Sequence, residues 1–211
     1  MQSQSRFSRY LADHPLRTLL RDQLVRPRPE AEFTSPRADC PHPERWHSRD
    51  IQSAEVEVTT LVSALVRAMQ PDLVVETGTA YGQTARAIGK ALQKNGHGEL
   101  HTMDTNPALA RRAERLCARL PVVVTCESSL DFVPPAPVDF AWFDSLIDLR
   151  IQEFRRYLPH MHSGTVVGFH DVGPQHPGLA EGIRQLADEG CLVPLFLPTP
   201  RGVCLAQVTP T

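Results

Sequence analysis

From Leu73 onward, short apolar runs alternate with amphipathic stretches, and this alternation constrains the fold more than any other feature of the chain. Leu73-Val74-Val75 is an apolar run too short for a helix. A glycine-bearing turn follows, then a helical pattern over residues 83–94. Residues 99–103 read as a second strand, 107–120 as a helix opened by Pro107, and 122–126 as a third strand. A loop over 131–137 leads to a fourth strand at 138–143. Helical patterns at 146–160 and 179–189 flank a fifth strand at 165–169. The last two runs, 192–197 and 203–208, are joined by the tight turn Pro198-Thr199-Pro200-Arg201-Gly202. The expected fold is therefore α/β: a doubly wound, Rossmann-like, mostly parallel seven-stranded sheet with an antiparallel C-terminal edge hairpin and helices on both faces.

The region before this alternation reads differently. Val58, Leu61, Val62, Leu65, Val66 and Met69 repeat at three-and-four spacing, the signature of an amphipathic helix. Asp50 or Ser53 is placed to cap it, and Pro71 ends it. Residues 5–25 carry a looser helical spacing broken at Pro15. Pro27, Pro29, Pro36, Pro41 and Pro43 then exclude a helix or a central strand. The expected division is an N-terminal helical and proline-rich arm or lid over 1–49, and one α/β domain over 50–211.

Composition narrows the function classes. With 22 basic and 24 acidic residues the net charge is -2, which offers no general footprint for nucleic acid. The five cysteines include no Cys-x-x-Cys pair, so neither a zinc ribbon nor a disulfide framework is indicated. No apolar run approaches the roughly 20 residues that span a bilayer. The segment MQSQSRFSRYLADHP lacks an apolar signal core. A cytoplasmic protein without nucleic-acid or membrane partners is the expectation.

In doubly wound sheets, ligands bind outside the carboxyl ends of the strands. Here those ends carry Glu76-Thr77-Gly78-Thr79-Ala80-Tyr81-Gly82, then Asp104, Glu127-Ser128-Ser129, Asp144-Ser145 and His170-Asp171. So many carboxylates at neighbouring tips would repel one another without a ligand or cation between them. The first turn is Gly-x-x-x-Gly, not the closer Gly-x-Gly-x-x-Gly of a pyrophosphate cradle, and there is no P-loop. Glu76 would repel a phosphate and attract an ammonium group. Asp104 is placed to accept hydrogen bonds from two ribose hydroxyls. A ligand with an amino group and a ribose but no phosphate satisfies both.

These residues resemble the first two motifs of class I S-adenosylmethionine-dependent methyltransferases, and the resemblance extends over about residues 53–208. It implies that Glu76, Gly78 and Thr79, with Tyr81 and Gly82 in the same turn, line the methionine part of S-adenosyl-L-methionine. Asp104 would hold the ribose, and Glu127 or Ser128 would lie near the adenine. Trp142-Phe143-Asp144 and Gly168-Phe169-His170-Asp171 resemble the metal-site segments of small O-methyltransferases. Asp144 and Asp171 match that pattern, while His170 stands where such relatives often have an acid or another oxygen donor; the three are the expected ligands of a divalent ion, with Mg²⁺ or Mn²⁺ holding and acidifying an acceptor hydroxyl.

The sequence departs from that pattern at Ile147, where such relatives often carry a basic residue. His170 and Asp144 are then the candidate catalytic groups, and a neutral-range base favours His170. Arg150, Arg155 and Arg156 read as a solvated or salt-bridged helix face, with Arg150 also a candidate to bind a carboxylate, and Cys126 reads as core. The expected activity is methylation of a small molecule, most simply at a hydroxyl. The alternatives are metal-independent N- or C-methylation, or a non-catalytic cofactor-binding module. A homodimer is expected from the resemblance alone, with Trp46 and His47 near substrate or an interface.

Overall fold

The computed structural model describes residues 45–50 and 52–209. The expected short helices at 5–25 and most of the proline-rich arm lie outside these residues. In chain order the elements are α1 (Val56–Met69), β1 (Leu73–Thr77), α2 (Gln83–Asn95), β2 (Glu99–Met103), α3 (Pro107–Cys117), β3 (Val122–Thr125), β4 (Val138–Phe143), α4 (Arg150–Tyr157), β5 (Met161–His170), α5 (Pro177–Asp188), β6 (Leu192–Leu197) and β7 (Val203–Val208).

The strands form one sheet in the order β3-β2-β1-β4-β5-β7-β6. The first five are parallel to their neighbours, while β7 runs antiparallel to both β5 and β6. All five residues of β1 are buried. A parallel strand covered on both faces must be apolar throughout, which is why Leu73-Val74-Val75 shows no alternation.

Two apolar clusters sandwich the sheet. One contains Val58, Val62 and Val66 of α1 with Ile88 and Leu92 of α2. The other contains Phe154 and Tyr157 of α4 with Ile183 and Leu186 of α5. In the second cluster the Phe143 and Phe169 rings stack at 5.0 Å. Each such fully buried side chain contributes about 1.5–3 kcal/mol.

Several boundaries differ from the sequence expectation. The α1 helix starts at Val56, not at Asp50 or Ser53. The Asp50 carboxylate instead accepts the backbone N–H groups of Gln52 (3.0 Å) and Ser53 (2.7 Å), closing a turn before the helix. Glu55 occupies the N-cap position but makes no side-chain cap. By contrast, Asn106 caps α3 as its type favours, accepting from Ala108 N at 2.9 Å, with Pro107 in the first turn. The fifth strand begins at Met161 rather than 165, because Met161 pairs with Val138 before a register shift brings Val166 opposite Phe140.

Candidate active site at the strand tips

Strand order reverses direction between β1 and β4, and the crevice above that pair is where such sheets hold ligands. The turn after β1 is tied to both neighbours. Gly78 N and Thr79 N donate to Met103 O at 3.0 and 3.1 Å, and Asp144 N donates to Thr77 O at 3.1 Å. Gly78 has φ +80°, and a Cβ there would lie 2.5 Å from the Asp144 carbonyl oxygen. Only glycine fits this close approach of the β1 turn to the β4 loop.

A cavity of about 470 Å³ opens above the crevice. One end is lined by Gly78, Ala80, Met103, Asp104, Glu127 and Ser128, the other by Asp144, Ile147, Arg150, Asp171, His176 and Arg201. Asp104 is prepared for a ligand by its own backbone. Its Oδ2 accepts Ala80 N at 2.9 Å and its Oδ1 accepts Asn106 N at 2.8 Å. Each oxygen keeps a lone pair, which suits a ribose diol.

Glu76 lies beneath the cavity floor, fully buried. Its Oε2 accepts the Thr102 hydroxyl at 2.6 Å, and that hydroxyl lies 2.6 Å from the Thr79 hydroxyl. Burial pushes the Glu76 carboxyl up to about 8, opposed by the Thr102 hydrogen bond and reinforced by Asp144 and Asp104. A buried acid of this kind is poised to ionise against a cation. Like Glu76, Thr79, Tyr81 and Gly82 do not line the cavity. Tyr81 lies under the Arg112 guanidinium, 4.2 Å from its ring centre. Gly82 packs against Ala113.

The structure also brings together Asp144, His170 and Asp171, with one ligand atom from each within 4.8 Å of the others. It adds three residues that the sequence reading did not place there. His170 Nδ1 faces Asp144 Oδ1 at 3.0 Å, and Nε2 faces Glu55 Oε2 at 2.8 Å. Arg201 Nε donates to Asp171 Oδ1 at 2.5 Å, and its Nη2 donates to Asp171 Oδ2 at 3.0 Å. Arg150 Nη2 reaches Asp171 Oδ2 at 3.1 Å and Asp144 Oδ1 at 3.3 Å.

This corrects two expectations. Arg150 is not on a solvated helix face: it is 2% exposed and turned into the site. His170 is fully buried and absent from the cavity wall. Burial would lower its pKa, but Asp144 and the hydrogen bonds from Asp144 and Glu55 raise it to about 9. With both ring nitrogens facing carboxylates, the protonated imidazole is favoured. Asp144 remains available: it lines the cavity, and among the described residues none donates to its Oδ2.

Asp171 is held in the left-handed region, φ 56°. Asp tolerates that region better than most residues, at a cost of order 1–3 kcal/mol. Burial would raise its carboxyl, yet His170, Arg201 and Arg150 hold it down at about 2.

A fourth missed residue supports the tips from below. Buried Glu153 accepts hydroxyls from Thr77 (2.8 Å), Ser145 (2.6 Å) and Ser129, linking the β1 tip with the loops after β3 and β4. A signal was present: Arg150, Glu153, Phe154 and Tyr157 share one helical face, and all four are buried. Cys126, expected in the core, is exposed.

Residues 75–172 match a family model described as a methyltransferase domain. A comparison with curated proteins finds no matching sequence. An O-methyltransferase from Bacillus cereus, solved with S-adenosylhomocysteine, superposes with a TM-score of 0.66 at 18% identity over 76% of this chain and 84% of its own. An O-methyltransferase from Streptomyces achromogenes, involved in tomaymycin synthesis and solved with S-adenosylmethionine, gives 0.63 at 22% identity over 75% and 82%. The fold is a doubly wound α/β sheet with a cavity at its strand tips. Residues 75–172, a little under half of the chain, thus resemble a methyltransferase domain, and the solved neighbours share the fold.

Proposed function

We propose that this protein transfers a methyl group from S-adenosylmethionine to a hydroxyl of a small-molecule acceptor. The observation that carries the reading is that one cavity joins two chemically different ends. It has nucleoside-type recognition by Asp104 at one end and an unengaged carboxylate oxygen, Asp144 Oδ2, at the other. S-adenosylmethionine supplies an electrophilic methyl group on a sulfonium.

The remaining contributions belong to the chain. Asp104 takes the ribose hydroxyls, with Glu127 and Ser128 beside the base. Glu76, buried beneath the site, attracts the ammonium group from a distance across the Thr102–Thr79 hydroxyl pair, and Gly78 leaves room for close approach. The acceptor hydroxyl lies against Asp144 Oδ2, which takes its proton as the oxygen becomes methylated. Orienting the reactants supplies most of the acceleration. The names of the structural neighbours, which describe O-methyltransferases, support oxygen as the acceptor atom.

His47 O accepts Val56 N at 2.8 Å at the start of α1, and Trp46 lines a second, largely apolar cavity beside Val172, Pro174 and Phe196.

Calorimetry with S-adenosylhomocysteine tests the proposal. Asp104→Ala removes a carboxylate that would make two charge-assisted bonds, at about 1.5–3 kcal/mol each, so affinity should fall at least about a hundredfold. Absence of binding by the unaltered protein would refute the reading.

A further inference from the structure

A divalent ion needs lone pairs, and those of the Asp144–His170–Asp171 trio are largely taken. Both ring nitrogens of His170 face carboxylates. Both oxygens of Asp171 accept from Arg201, and Oδ2 accepts from Arg150 as well. Asp144 Oδ1 faces His170 and Arg150, which leaves Asp144 Oδ2 and a single lone pair on Asp171 Oδ1 for a metal. The trio as built does not fit a resident Mg²⁺ or Mn²⁺, which requires several oxygen ligands at near-octahedral positions.

The Asp144 and Asp171 carboxylates are also already paired with the Arg150 and Arg201 guanidinium groups. A divalent cation added to this buried set would have to displace a guanidinium from its carboxylate, and burying an uncompensated charge is costly.

We propose that the Arg150 and Arg201 guanidinium groups stand where a divalent ion would otherwise sit, making this a metal-independent acceptor site. The inference rests on the methyltransferase reading but concerns a different property of the site. The two arginines differ in role. Arg150 is spent on structure, donating to Asp144, Asp171, Ser145 O and His170 O. Arg201 is less enclosed, 18% exposed, and lines the cavity. Three of its five N–H groups are used, by the two Asp171 oxygens and by Ser53 O at 3.1 Å, so two are left for an acceptor oxygen.

Gly202 shows how tightly Arg201 is placed. It has φ +81°, and a Cβ there would lie 2.3 Å from Gly173 N. Val172 N and Gly173 N donate to Gly202 O and Arg201 O at 3.2 and 2.9 Å. The turn carrying Arg201 is thus clamped backbone to backbone against the loop that carries Asp171.

The test is Mn²⁺ binding followed by electron paramagnetic resonance, on the full chain with and without S-adenosylhomocysteine. The unaltered protein should leave free Mn²⁺ unaltered into the millimolar range. Arg201→Ala should gain one Mn²⁺ site, at least tenfold tighter than any binding by the unaltered protein, because Asp171 is released. A role of Arg201 in folding alone would not create that site.

S-adenosylhomocysteine calorimetry on each protein shows that it is folded, and it also tests the methyltransferase reading separately. One tight Mn²⁺ on the unaltered protein, abolished by Asp144→Asn, would overturn the inference. So would an Arg201→Ala protein that binds S-adenosylhomocysteine yet gains no Mn²⁺.

Discussion

The Glu55–His170 contact makes a sharp stability prediction. His170 has an ordinary pKa of 6.5, raised to about 9 in the folded protein. A group raised in this way contributes stability that is fully present below pH 6.5 and is lost as pH rises through 9. At about 1.4 kcal/mol per pKa unit, the gap is worth about 3 kcal/mol. Glu76 acts in the same direction over a lower window, because its carboxyl is raised from 4.5 to about 8. Stability should therefore decline from weakly acidic pH upward.

Glu55→Gln separates the two groups. It removes the carboxylate 2.8 Å from His170 Nε2 while Asp144 and Asp171 remain at 3.0 and 3.7 Å. Removing one partner of a buried charge pair costs about 3–5 kcal/mol, so the variant should be that much less stable near neutral pH. The slope between pH 6.5 and 9 should shrink, and the slope set by Glu76 should persist. Urea unfolding at a series of pH values, with an NMR titration of the His170 ring, measures both. Stability that stays flat from pH 6 to 9.5, or an unchanged slope in Glu55→Gln, would refute the assignment of His170 as a buried imidazolium.

Two further outcomes are expected. Binding of S-adenosylhomocysteine should release close to one proton at pH 7, because the ligand's ammonium group favours ionised Glu76 over the protonated form that dominates below about 8; calorimetry in buffers of different ionisation enthalpy reads this, and Glu76→Gln should abolish it. Gly78→Ala should lower stability by about 1–2 kcal/mol for the left-handed backbone alone, and by more for the clash with the Asp144 carbonyl, with a parallel loss of S-adenosylhomocysteine affinity; thermal unfolding and calorimetry check it.

Much of this protein was legible in one dimension because the signals are local. Apolar runs of strand length, Pro107 opening a helix and the Pro198–Gly202 turn each act within a few residues. The parallel sheet and its antiparallel edge follow from them. The strand-tip acids were legible for the same reason, since a residue ending a buried strand must face the ligand edge. Asp104 and Gly78 stand where that logic puts them.

Partners and charge states were not legible. Arg201 N meets Glu55 Oε1 across 146 residues of chain, and His170 meets Glu55 across 115. No spacing rule reaches that far. The sequence offers His170 as a base and metal ligand, and Arg150 as a solvated or carboxylate-binding side chain. Tertiary packing closes two guanidinium groups and a third carboxylate around the strand-tip acids and His170. The sequence alone determined which side chains stand at the strand tips, because backbone periodicity is local. Only the folded structure decided which of them are already paired, because pairing depends on distances between segments remote in the chain.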